Sequence, residues 1–245
     1  MNQKKTSYIL HLADNSLILG QRNSEWCGHG PVLEQDIAIT NITLDLVGQA
    51  RSLYQYAASL LGEGTTEDSL AYLRTEREFL NCLLVEQPKA DWAHTVLRQF
   101  FFSTYQYYLC QQLLSHPDAQ LAAIAEKSLK EVRYHVRWSG EWVIRLGDGT
   151  TESKQRLQLA LAALWPYTGE LFMPAAYESG QGTDLSAIRP LWNEKVQAVL
   201  REATLDLPGE TFMHSGGKTG VHTEHLGFIL AEMQYMQRTY PGCEW

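Results

Sequence analysis

The sequence predicts an all-α fold, read as a single helical domain over residues 1–245. Two observations carry this. Long segments repeat apolar residues at alternating intervals of three and four, as helices packed in a bundle do. No segment alternates apolar and polar residues with the period of two that a half-buried strand requires, and no short internal repeat is found.

The clearest stripe runs Leu121, Ala125, Ser128, Val132, His135, Ser139, Trp142, Leu146, in a stretch that neither Gly nor Pro interrupts from Ala119 to Ser139. His135 lies inside the stripe and Glu131 one turn before it. A carboxylate and an imidazole on the inner face of a bundle helix resemble half of a di-iron site. The other elements decide whether a second half exists.

Residues 6–26 read as a helix with Leu10, Ala13, Leu17 and Gly20 on one side and Asp14 and Asn15 near that face. Gly28-His29-Gly30-Pro31 is a turn, and the proline suits the start of a second helix over 31–61. Its stripe is Ile39, Ile42, Leu46, Gln49, Leu53, Tyr56, Leu60, apolar or aromatic except at Gln49. Thr66 starts a third helix running to about Val85, with Glu67 and Asp68 favourable in its first turn. The alternating charges of Arg74 to Glu78 predict a solvated or interfacial face.

Asp91 caps an aromatic-rich helix to about Ser115, suited to a core or a subunit interface. His116-Pro117-Asp118 leads into the helix of Glu131 and His135, which ends at Gly147-Asp148-Gly149. A helix from Thr150 or Thr151 to about Phe172 is interrupted at Pro166, and 173–187 read as loop. Residues 188–204 are helical, an irregular glycine-rich stretch follows, and a last helix runs from His222 to Thr239.

Bulk properties exclude several classes. A net charge of −8 argues against non-specific nucleic-acid binding. No run approaches the 18 apolar residues of a membrane span, and no signal-peptide pattern opens the chain, so a cytoplasmic protein is expected. Cys27, Cys82, Cys110 and Cys243 are widely spaced with no C-x-x-C, which suggests free thiols rather than a zinc ribbon or redox dithiol.

A bundle di-iron centre needs a Glu from each of two helices and Glu-x-x-His from each of the other two. No such set is present. Glu131 and His135 are four apart, with Tyr134 at the i+3 position. The second helix offers Leu46 and Gln49 where Glu and His would stand; leucine cannot ligate and a carboxamide is a poor iron ligand. The aromatic helix offers Ser103 and no acid between Asp91 and Asp118. On the first helix, of Asp14, Asn15 and Ser16, only Asp14 could ligate. His222-Thr223-Glu224-His225 fans out around a helix start and suits capping and surface contacts better than metal. Gly216-Gly217-Lys218-Thr219-Gly220 lacks the preceding strand and the spacing of a P-loop, so a nucleotidase is not predicted. Lys218 is nevertheless a candidate contact for the phosphate of a bound ligand, since a glycine loop exposes backbone N–H groups.

The chain resembles the C subunits of bacterial ring-1,2-phenylacetyl-CoA epoxidases, multicomponent oxygenases of phenylacetate degradation. The segments carrying the resemblance are Gln21–His29, Leu44–Arg51, Leu84–Pro88, Glu131–Arg137, Gly217–Leu226 and Ala231–Tyr235. It extends over essentially the whole length. It implies a ferritin-like bundle with additional flanking helices, pairing with a catalytic A subunit that holds the di-iron centre. A B subunit joins such pairs and a reductase draws electrons from NADPH. The assembly inserts one oxygen atom of O₂ into the ring of phenylacetyl-CoA, which would touch this chain, if at all, at a subunit interface. Neither nucleic acid nor membrane is an expected partner. On this reading the chain is a non-catalytic structural subunit binding no cofactor, and Leu46, Gln49, Ser103, Glu131 and His135 are the remnants of a lost metal site. Gln49, Glu131, Tyr134 and His135 are then expected to form polar bonds where metal once sat. Two other readings stand beside it: a di-iron oxygenase in its own right with Asp14, Glu131 and His135 as minimal ligands, and a small-molecule-binding helical module outside oxygenases.

Overall fold

The computed structural model describes residues 2–243. Among these it contains helices and no strand, as the spacing predicts. In chain order they are α1 (Asn2–Ser24), α2 (Leu33–Leu61), α3 (Glu67–Tyr72), α4 (Leu83–Glu86), α5 (Trp92–Leu113), α6 (Ala119–Gly147), α7 (Thr151–Leu164), α8 (Leu185–Glu202), α9 (Glu224–Met233) and α10 (Tyr235–Thr239), with short 3₁₀ turns between some of them. The chain divides into two compact units. The first takes the residues up to Pro88, Ala175–Gln181 and those from Gly216 onward; the second takes Lys89–Pro174 and Gly182–Ser215.

The first unit is built on the pairing of α1 with α2. From Ala13 to Gly20 every residue of α1 is buried, so its polar residues have no solvent to turn to. The helices approach closely at Gly20, where a Cβ would lie 3.4 Å from Val47 and 3.5 Å from Leu46. The core line of α2 follows the predicted stripe from Ile39 to Leu53 and then departs from it: Tyr54 and Ala57 are buried, while Tyr56 and Leu60 are half-buried. The same departure occurs in α6 of the second unit, where Val143 and Gly147 replace Trp142 and Leu146. A strict three–four alternation has a period of 3.5, whereas a straight helix turns every 3.6 residues and its buried face drifts. Both helices follow the straight-helix line.

The predicted third helix ends early. Instead of continuing to Val85, α3 stops at Tyr72, and a 3₁₀ turn over Glu76–Glu78 and an extended piece lead to the single turn of α4. The cause lies in α1. The Leu80 N–H donates to Asp14 Oδ2 at 2.8 Å and the Cys82 N–H to Asn15 Oδ1 at 2.8 Å. Leu80 O lies 2.7 Å from His11 Nδ1. Side chains of α1 thus supply partners that a helix would have found within itself, and the segment lies extended against them.

The second unit packs α5 against α6, α7 and α8. The aromatic α5 is its core. Phe100, Phe101, Phe102 and Tyr105 are buried, and Phe101 lies against Trp165 and Trp192 at ring separations of 5.9 and 5.6 Å. The Trp192 Nε1–H donates to Phe101 O at 2.8 Å, which satisfies the one polar group of the cluster's central ring. These aromatics therefore build a core rather than a subunit interface; beyond Trp92, only Tyr107 and Tyr108 on α5 turn outward. The helix predicted to Phe172 ends at Leu164 and continues as two 3₁₀ turns around Pro166. Capped by Asp184, α8 begins three residues earlier than the sequence suggested.

Candidate functional site

The densest polar arrangement lies in the core of the first unit. Asp14 is fully buried and receives four donors. Arg74 grips it with both guanidinium prongs, Nη2 on Oδ1 and Nη1 on Oδ2. The Tyr54 hydroxyl donates to Oδ1 at 2.5 Å, and the Leu80 N–H completes the set. Arg74 is itself buried; its Nη1 also donates to Glu78 O and its face lies 4.2 Å from the Phe79 ring centre. Burial works against the Arg74 charge, but the Asp14 carboxylate outweighs it and holds the guanidinium well above its ordinary range. Burial and the same carboxylate push the Tyr54 hydroxyl well above its usual value. The charge run of Arg74 to Glu78 is therefore not uniformly solvated. Its first member is a core residue.

Beside this pair stands a second carboxylate, Glu86, also fully buried. It accepts from the Asn81 amide at 2.9 Å and from the Thr223 N–H and hydroxyl, each at 2.7 Å. His222 Nδ1 lies 2.8 Å from its Oε2, while Nε2 lies 2.9 Å from Phe79 O. A carbonyl only accepts, so Nε2 carries a proton. Glu86 accepts from three other donors and presents its Oε2 to Nδ1. His222 and Thr223 thus anchor the start of α9 on α4.

The third pair is Lys218 with Glu178. The buried ammonium lies 3.2 and 3.0 Å from the two carboxylate oxygens, and Glu178 also accepts the Ala175 N–H at 2.6 Å. Lys218, considered as a phosphate contact, faces inward. The glycines beside it serve contact with the chain: a Cβ on Gly217 would stand 2.3 Å from Asn81 O, and one on Gly220 2.3 Å from Arg77 O. His11 Nε2 is 3.9 Å from Glu178. That is no ion pair at neutral pH, because burial, reinforced by the Lys218 charge, lowers the His11 pKa to about 4.

The remaining sequence candidates fall as follows. In the first unit Leu46 sits at the close crossing of α1 and α2 and Gln49 is buried on α2. In the second unit His135 is fully buried and Glu131 half-buried on α6. The Ser103 hydroxyl bonds within its own helix, donating to Gln99 O and accepting from the Gln99 amide, both at 2.7 Å. Cys110, near Glu131, has its thiol pushed up to about 12, first by burial and then by that charge. Tyr134 is the correction: it points outward, 37% exposed, with Arg137 over its ring, and takes no part in a buried network.

These donors do not suit a di-iron ligand set. The lone pairs of Asp14 that could reach a metal are taken by Arg74, Tyr54 and the Leu80 N–H, and Leu46 has none. Among the described residues no group of three or more His, Cys, Asp or Glu is placed to hold a metal ion. Sequence reading missed Arg74, Tyr54, Glu86 and Glu178. The signal that could have found them was His11, Asp14 and Asn15 on a helix with no solvated face, because buried polar groups require partners.

The described residues form an all-α arrangement of long amphipathic helices with short flanking ones, and the family that matches the chain is ferritin-like. Within that class this chain is a member of the phenylacetic acid catabolic protein family, whose profile matches residues 1–245. It is 50% identical over 250 residues, covering 100% of both chains, to the C subunit of the 1,2-phenylacetyl-CoA epoxidase of Escherichia coli (strain K12). No helix among the described residues is long and apolar enough to cross a membrane.

Proposed function

We propose that this chain is the C subunit of a 1,2-phenylacetyl-CoA epoxidase, a non-catalytic structural subunit that pairs with and stabilises a di-iron catalytic A subunit in aerobic phenylacetate catabolism in the cytoplasm. The full-length identity to the C subunit of such an epoxidase carries the reading. Within the assembly a B subunit joins the pairs and a reductase supplies electrons from NADPH, while this chain binds no cofactor. Two features of the chain support a structural role. The carboxylate of α1 is engaged in an ion pair rather than held open for metal. And α2, beyond its buried face, carries a second line of apolar residues: Leu33, Ile37, Leu44 and Val47, between 38% and 71% exposed. The interval from 33 to 37, then 44, then 47 follows the spacing of a helix-packing seam with Thr40 in the gap. Gly48, where a Cβ would meet nothing within 4 Å, leaves room for another helix to come close. This face is offered to the catalytic subunit.

The test is iron stoichiometry. Fe(II) is added to the purified chain without oxygen, excess is removed, and iron is counted; the measurement is repeated with the catalytic subunit present. The expected result is iron near zero on the chain alone and about two per pair in the complex. About two irons on the isolated chain, lost on replacing Glu131 or His135, would make it a di-iron oxygenase instead.

A further inference from the structure

The second unit carries an open groove of about 400 Å³ that the structural role does not use. It is lined by Thr104, Tyr107 and Tyr108 of α5, Arg133, Val136 and Arg137 of α6, and Lys195 of α8. Three cations and two phenols face one depression, on a chain whose net charge is −8. No carboxylate lines it; the charge of Glu194 is felt at its edge, where, after burial and Tyr107, it helps to raise the Tyr108 pKa.

The charge pattern of α6 singles out the two arginines. Lys130 has Glu126 four residues earlier, 4.0 Å away, and Arg145 has Glu141 four residues earlier, 3.9 Å away. Arg133 has Leu129 at that position, and Arg137 has Arg133. Two like charges at i, i+4 repel on an exposed helix. Among the described residues neither arginine, nor Lys195, makes an ion pair. Arg137 is steadied instead by the Tyr134 ring, 5.8 Å from its guanidinium carbon. Two guanidinium groups one helical turn apart and a lysine from α8, lining one groove, supply the donors that a phosphate's oxygens take, and guanidinium groups bind phosphate in two-pronged fashion. Half-buried Tyr107 and Tyr108, with rings 5.2 Å apart and inclined at 72°, and half-buried Val136 between the arginines supply apolar walls of the kind a planar ring stacks on.

We propose that this groove binds a small phosphate ester carrying a planar ring, of the nucleotide class, with Arg133, Arg137 and Lys195 on the phosphates and the two tyrosines against the ring. This does not depend on the pairing role proposed above. The test uses the full chain titrated calorimetrically with ADP and, separately, with inorganic pyrophosphate at physiological salt. ADP binds saturably and pyrophosphate competes with it. Arg133→Gln and Arg137→Gln each weaken ADP about tenfold, the effect of one charge-assisted hydrogen bond. Tyr107→Leu weakens ADP and leaves pyrophosphate unchanged. Arg189→Gln, an exposed arginine outside the groove, changes neither. Circular dichroism of each variant separates lost binding from lost fold. No saturable ADP binding by about 5 mM, well above a millimolar dissociation constant, overturns the proposal. So does ADP binding that neither arginine variant alters, or pyrophosphate binding without ADP binding, which would leave a bare anion patch.

Discussion

Arg74, just beyond the C-terminal end of α3, closes a two-pronged ion pair on Asp14 in the middle of α1. The pair ties the irregular segment after α3 to the central helix of the first unit. A buried pair of this kind owes its effect to being complete. Removing one partner leaves an uncompensated charge out of water, at a cost of about 3–5 kcal/mol.

Arg74→Met is therefore expected to lower the stability of the chain by about 3–5 kcal/mol in urea unfolding followed by circular dichroism. Asp14→Leu combined with Arg74→Met should lose less than Arg74→Met alone, because no charge is then stranded. A loss below about 1 kcal/mol for Arg74→Met would mean that the pair is no more than a surface ion pair.

The pH dependence of the same unit follows from His11. Its pKa falls from 6.5 to about 4, by burial first and the Lys218 charge second. The folded chain keeps His11 neutral where the unfolded chain takes up a proton. Stability is thus full above pH 6.5 and is lost as pH falls towards 4, by about 3 kcal/mol at the lower end. His11→Gln should flatten the stability profile by that amount between about pH 7 and 4. Parallel profiles for the two proteins would show that folding does not shift the His11 pKa.

How far the sequence revealed this architecture depends on where the information sits. The long helices were legible because periodicity is local: α2, α5 and α6 appear within one or two residues of their predicted ends. The break after Tyr72 was not legible, since nothing in Leu73 to Cys82 forbids a helix. It is caused by three side chains more than 60 positions earlier. Lys218 misled for a related reason. Glycines at 216, 217 and 220 suggest an open loop, whereas two of them are small because backbone oxygens of the 77–81 segment lie against them. Leu46 cannot ligate, and the close crossing at Gly20 gives it a packing role.

The state of His222 can be observed directly. With Phe79 O on one side of the ring and Glu86 on the other, both nitrogens should be protonated. Nitrogen-15 NMR of the imidazole at neutral pH should show two protonated nitrogens. A bare Nδ1 in the spectrum would place the shared proton on Glu86 and overturn this expectation.

The seam on α2 makes the pairing reading quantitative. Leu44 is 64% exposed and Ile37 52% exposed, so replacing either by Glu removes little from the core of the chain itself. Exposed substitutions of this kind leave stability within about 0.5 kcal/mol. At the centre of an interface the same change strands a charge against apolar surface and costs about 2 kcal/mol or more, at least a roughly thirtyfold loss of affinity. Leu44→Glu should accordingly unfold like the parent chain but fail to co-purify with the catalytic subunit. Gly48→Ala makes the complementary point. In isolation it should stabilise the helix by about 0.5–1 kcal/mol, since nothing meets the added methyl. If a partner helix comes close at Gly48, the same methyl must weaken the complex. A Leu44→Glu chain that still pairs normally would move the interface off α2, because a buried carboxylate in a helix seam has no partner to relieve it.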